Sequence, residues 1–321
     1  MRLTLASLAL ALLSGDTRDL RSDVLAWRAT KGAKLAKHFE SSMNLEQRSV
    51  SITVGGRELP DDRLKQFEAS LSMGSTLDVE DEYVSVDDAR PTELVRRFRE
   101  ATVSKKEHKA RPGKEPSDED EKLESPLVDH AVAFTWDPEG ENYARAFREG
   151  KGEEEWLAPL EPDMDLRAIL PASAVEEGET WKIEPESFRA LTMPGGRLSF
   201  PITQLSFDFD KNVQGTIEAR YAGKRELEGL ELRVIELSVH VSLTTEKESD
   251  AGTPLHYALG MDLAGEYLWD QAQGHLHSFE LSGPATMSVT GEREVEVRGQ
   301  KLPMKEHFEL GGEVQDEGRF E

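Results

Sequence analysis

From Ile235 to Leu243 the chain alternates without a break. Ile235, Leu237, Val239, Val241 and Leu243 are apolar, and Glu236, Ser238, His240 and Ser242 stand between them. Side chains on a strand point to opposite faces with a period of two. The pattern therefore predicts a strand buried on one side and wetted on the other. Much of the chain reads the same way. A run of β formers spans Val50–Val54, and further strands are predicted around 127–136, 142–148, from Trp181 onward, 285–298 and 302–310. Leu205, Phe207 and Phe209 share one face, as do Val213, Ile217, Ala219 and Tyr221. Turn chemistry punctuates these runs at Gly32, Gly55–Gly56, Asp87–Pro91, Glu176–Gly178, Asp210–Asn212 and Arg225–Gly229. Glu93–Val103 fits both periods: Leu94, Phe98 and Ala101 make a helix face, while Thr92, Leu94 and Phe98 suit a strand.

One region predicts helix. In 153–170 the apolar set is Trp156, Leu157, Leu160, Leu166, Ile169 and Leu170. Asp163 or Asp165 can cap it, and Pro171 ends it. A curved sheet with an apolar concave face needs a cover, and this segment is the candidate lid.

The hairpin over 262–282 contains the chain's one His-x-His, His275 and His277. Pairing Trp269 with His275 sets Leu268 against Leu276 and Tyr267 against His277. One face then collects Leu263, Tyr267, Trp269, His275, His277, Phe279 and Leu281. A one-residue slip would mix the two faces, so this register is expected. The histidines then sit among aromatics, and a metal site would lack its remaining ligands. No metal and no cofactor is expected.

Residues 105–125 are nearly all charged or Pro, Gly and Ser. Such a stretch buries too little apolar surface to offset its ordering entropy, and reads as an exposed loop or linker. It divides the chain into an N-terminal β segment (20–104) and a larger antiparallel part (126–321), which together can form one continuous domain.

Composition narrows function. The 321 residues are 37% hydrophobic, enough for a core, and 32% charged. The net charge of −24 argues against nucleic acid, whose phosphates call for clustered Lys and Arg. There is no cysteine, which excludes disulfides, thiolate catalysis and Cys-based zinc sites. At the N-terminus one Arg precedes an apolar run from Leu3 to Leu13 and a polar switch at Ser14–Gly15. The run is too short for a membrane-spanning helix and suits a signal peptide over 1–15. A periplasmic or extracellular location in a bacterium follows, and no transmembrane segment is expected.

Three stretches carry a resemblance: "LPASAVEEGETW", "YAGKRELEGLELRVIEL" and "GEYLWDQAQGHLHSFEL". Over about residues 160–310 they resemble uncharacterised exported bacterial proteins of planctomycete type. Those form a curved antiparallel half-barrel akin to the lipoprotein localisation factor and the mycobacterial lipoprotein carriers. The resemblance implies a mainly β (α+β) fold, a curved antiparallel sheet or half-barrel covered by one or two short helices. It supplies no catalytic residues. The chain lacks the lipidation cysteine of such carriers and adds the charged stretch at 105–125.

Catalytic signatures fail on inspection. Asp208, Asp210 and Asn212 have the spacing of a calcium loop, but Val213 stands where Gly is needed and Ala219 where Glu is needed. Glu161, Asp163 and Asp165 match a helix N-terminus as well as a cation site. No Gly-x-Ser-x-Gly, Walker motif, Gly-x-Gly-x-x-Gly or His-Glu-x-x-His occurs. The chain is thus expected to be an exported non-catalytic protein that binds an apolar small molecule or lipid in the concavity of its sheet. Trp156, Trp181, Tyr267, Trp269, His275 and His277 are the candidate ligand-binding residues. The alternatives are a structural or interaction protein of the cell envelope with no small ligand, and an enzyme of unidentified type.

Overall fold

The structure, a computed structural model, describes residues 23–87, 90–200, 213–249 and 252–321. The expected signal peptide, the Leu205–Phe209 face, and the turn holding Asp208, Asp210 and Asn212 lie outside the described residues, as does part of the Asp87–Pro91 turn.

The strands in chain order are β1 (Lys34–Val54), β2 (Arg57–Glu58), β3 (Glu68–Asp87), β4 (Arg90–Ala110), β5 (Ser117–Glu124), β6 (Ala131–Asp137) and β7 (Asn142–Glu149), then β8 (Thr180–Ile183), β9 (Gln214–Leu227), β10 (Leu230–Glu248), β11 (Pro254–Asp270), β12 (His275–Val297) and β13 (Gln300–Phe320). Among the described residues two short α-helices accompany them, α1 (Asp61–Leu64) and α2 (Phe188–Thr192). Strand accounts for 67% and helix for 6%, so the mainly β class read from the alternation holds.

All thirteen strands join one open, curved antiparallel sheet, ordered β7-β6-β4-β3-β1-β13-β12-β11-β10-β9-β8, with β2 on β1 and β5 on β4. The N-terminal and C-terminal parts meet where β1 pairs β13, from Lys37↔Phe320 to Val54↔Met304. They are therefore one sheet, joined through the first and last strands.

The charged stretch is not a loop. β4 continues through it to Ala110, and β5 folds back with Lys106 opposite Asp120 and His108 opposite Asp118. The basic half meets the acidic half across the ladder: Lys105 Nζ lies 3.2 Å from Glu119 and Lys106 Nζ 3.1 Å from Asp120. Cross-strand charge complementarity and an edge to pair with replace the missing apolar burial. Glu93–Val103 resolves as strand for the same topological reason: it lies between β3 and β6.

The strands are longer than their sequence patterns predict. β12 runs straight through Gly283–Pro284, and the β11–β12 ladder skips from Met261↔Ala285 to Ala264↔Ser282 at that point. Proline brings no N–H to a ladder. A Cβ at Gly283 would stand 2.1 Å from the Asp262 carbonyl oxygen, so only glycine fits this close approach.

The expected hairpin register is corrected by a bulge. Trp269 pairs Leu276, Tyr267 pairs Phe279, and the register shifts between Leu268 and Trp269, leaving His277 as the extra residue. Tyr267, Trp269, Leu276 and Phe279 are buried, whereas His275 and His277 are half-buried.

Residues 150–179 lead from β7, at one end of the sheet, to β8, at the other. The segment lays Leu157, Leu160, Met164, Leu166 and Ile169 into the core. It packs against the sheet without forming the expected helix, having only 3-10 turns at Glu154–Trp156 and Arg167–Ile169. Its carbonyls are taken by side chains. Arg96 donates to the oxygens of Glu161 and Pro162, Arg145 to Leu160, and the Trp181 indole to Ile169. Pro159 and Pro162 supply no N–H. Leu166 at φ 53°, in the left-handed region, breaks the helical path.

Candidate functional site

A cavity of about 590 Å3 lies against the inner face of the sheet. β1 contributes Phe39 and Met43, β3 Met73 and Leu77, β4 Val103, β11 Leu259 and Met261, β12 Phe279, and β13 Val314 and Asp316. The stretch after α2, Met193 to Phe200, closes another side. In a flat sheet β4 and β11 would stand about 24 Å apart, five spacings of about 4.8 Å. That both line one cavity of this size places it on the concave side of the sheet's curve.

Apolar surface predominates in the lining, which also includes serines, threonines and the charged residues Glu40, Lys105, Arg197, Asp316 and Glu317. Lys105 is nearly buried and sits between Glu107, at 2.7 Å, and Glu119, at 3.2 Å. Asp316 is 2% exposed, and among the described residues neither of its carboxylate oxygens has a hydrogen-bond partner. Burial pushes its carboxyl up to about 6. Ser41, opposite it in the β1–β13 ladder, offsets part of that rise without making a hydrogen bond of ordinary geometry. The Tyr267 hydroxyl is also buried without a partner. Burial and the nearby Asp316 charge hold that phenol well above its usual value.

Beside the cavity a second polar cluster is complete. Lys37 Nζ donates to Asp81 at 2.9 Å, Asp165 at 2.9 Å and the Tyr83 hydroxyl at 3.2 Å. Arg96 meets both Asp81 oxygens, at 2.8 and 3.0 Å, and Tyr83 donates to Asp165 at 2.9 Å. Burial by itself would drive the Lys37 ammonium toward neutrality; the carboxylates of Asp165 and Asp81 outweigh it and raise its pKa. Burial likewise opposes the charge on Asp81, but Arg96 and Lys37 hold its carboxyl below the usual range. A fully paired cluster of this kind anchors the crossing segment to the sheet. It leaves no free group for chemistry.

The acidic run "EPDMD" is neutralised within the chain. Arg189 meets Glu161 at 3.0 Å, Arg167 meets Asp163 at 3.0 Å, and Lys37 takes Asp165. Neither aspartate caps a helix.

The six residues singled out from sequence are not gathered in the cavity. Trp156 packs edge-on against His130 and Phe147 near the β6–β7 end. Trp181 on β8 is tied to Ile169. Trp269 is 1% exposed, and Tyr267 stacks at 5.0 Å on Phe279, which does line the cavity. His275 lies 2.7 Å from the Leu276 carbonyl oxygen through Nδ1, and His277 occupies the bulge. Asp316 was missed, although "VQDEGRF" carries a signal. Val314, Asp316, Gly318 and Phe320 share the inward face, so a carboxylate stands where the alternation calls for an apolar side chain.

Neither a protein-family model nor a curated protein matches the chain.

Proposed function

We propose that this chain is an exported, non-catalytic binding protein that takes an apolar small molecule or lipid tail into the concavity of its curved sheet. The cavity carries the reading. At about 590 Å3, walled by Met43, Met73, Leu77, Leu259, Met261 and Phe279, it has the size and lining of a small-molecule site. Three methionines on those walls give a surface that adapts to ligand shape. Each methylene of a ligand buried there contributes about 0.8 kcal/mol. Export rests on the apolar run from Leu3 to Leu13.

Native mass spectrometry of the protein purified from an expressing bacterium tests this. The expected result is a bound species that organic extraction removes and that a neutral apolar dye then replaces. If there is neither an adduct nor saturable dye uptake, the reading fails. A structural or interaction role in the envelope would then take its place.

A further inference from the structure

We propose that the cavity takes an amphiphile with an ammonium-type cationic head, and that the Asp316 carboxylate holds that head. This deepens the apolar-ligand reading and rests on it.

Asp316 stands apart from the other buried ions. Lys37, Asp81, Arg96 and Asp165 satisfy one another. Lys105 has its two glutamates, Arg233 has Glu231 and Asp23, and Asp270 accepts from the backbone N–H groups of Ala272 and Gln273. Asp316 borders the apolar cavity with both carboxylate oxygens closed to water, and among the described residues neither has a hydrogen-bond partner of ordinary geometry. A buried carboxylate left this way costs free energy that a cation with N–H donors offsets.

Among the described residues the surroundings supply no such cation. Ser41 faces Asp316 from β1, Leu281 from β12, and the Tyr267 phenol feels its charge from β11. Glu40 and Glu317 also line the cavity and add negative charge. Of the basic residues on the lining, Lys105 is held by Glu107 and Glu119, and Arg197 has interactions of its own. An ammonium brings three donors, enough for the carboxylate and for the Ser41 hydroxyl. The net charge of −24 draws cations toward the protein and repels carboxylate and phosphate heads.

Calorimetric titration of the full chain with dodecylammonium, dodecanol and dodecanoate at neutral pH tests the proposal. Dodecylammonium is expected to bind roughly tenfold or more tightly than dodecanol, and Asp316→Asn to abolish that preference. Wild-type protein titrated at lower pH reads the same group without a substitution. Because burial pushes Asp316 up to about 6, affinity for the ammonium head is expected to fall as pH drops below that value, more steeply than affinity for dodecanol. Equal binding of all three ligands, or tightest binding of dodecanoate, would overturn the cationic head and leave the apolar-ligand reading standing. Failure of all three to bind would sink both.

Discussion

The Lys37 ammonium on β1 lies 2.9 Å from the carboxylate of Asp165, which belongs to the segment crossing the sheet from β7 to β8. This contact joins residues 128 positions apart and holds the cover against the strands. Lys37 also meets Asp81, so removing its charge leaves the buried Asp165 with only the Tyr83 hydroxyl and Asp81 with Arg96 alone. Lys37→Met is expected to destabilise the protein by about 3–5 kcal/mol in urea unfolding, the usual result of breaking a buried ion pair. Arg225→Ala, which loses an exposed pair with Glu266, is expected to cost about 1 kcal/mol or less. Equal effects for the two variants would contradict the anchoring role.

Asp316 gives a pH dependence of definite sign. Its folded-state carboxyl is raised to about 6, above the ordinary 3.8. A raised carboxyl favours folding below its unfolded value and loses that contribution as pH rises through the folded one. Asp316→Asn is therefore expected to stabilise the ligand-free protein by roughly 2–3 kcal/mol at neutral pH. The gain should shrink through the interval between 6 and 3.8 and vanish below it. Parallel urea titrations of variant and parent across that interval isolate this group from all the others.

The paired ladder of β11 and β12 depends on Gly283. Alanine there places a methyl 2.1 Å from the Asp262 carbonyl oxygen, which can relieve the clash only by moving backbone. Gly283→Ala is expected to lower stability by about 1–3 kcal/mol, the range for overpacked sites, read as a fall in thermal midpoint. An unchanged midpoint would show that the strands can separate there.

The tip of the β4–β5 hairpin is held largely by charge. Lys106, Asp120 and Asp118 are exposed, and such pairs weaken in salt. Limited proteolysis is expected to cut first between Arg111 and Pro116, faster at high ionic strength. Resistance there, or cleavage indifferent to salt, would mean that burial holds this hairpin after all.

The sequence makes some of this plain and hides the rest for physical reasons. β10 is legible because its neighbours on both sides repeat its alternation. The lid is legible as apolar cover but not in its conformation. Pro159 and Pro162 weaken the helical path locally, and distant arginine and tryptophan donors take its carbonyls, which nothing local announces. The β4–β5 hairpin is hidden because entropy counted against burial alone ignores cross-strand charge. The cavity is hidden most thoroughly, since curvature brings strands from both halves of the chain around it. Yet its polar features leave a common trace. Leu35-Lys37-Phe39, Val79-Asp81-Tyr83, Leu94-Arg96-Phe98 and Val314-Asp316-Gly318 each put a charge at an inward position of an alternating strand. Three of those four charges complete one another across the sheet, and Asp316 is the one left over.

Filling the cavity tests the binding role most directly. Met73 lines it from β3, and Met73→Trp would occupy much of its space. Wild type and variant are titrated with N-phenyl-1-naphthylamine, a neutral apolar dye that fluoresces on leaving water, with circular dichroism confirming the same fold. Saturable binding by the wild type, lost in Met73→Trp, is the expected result. Absence of saturable binding to the wild type, or equal binding by the folded variant, would contradict an apolar ligand site in the concavity of this sheet.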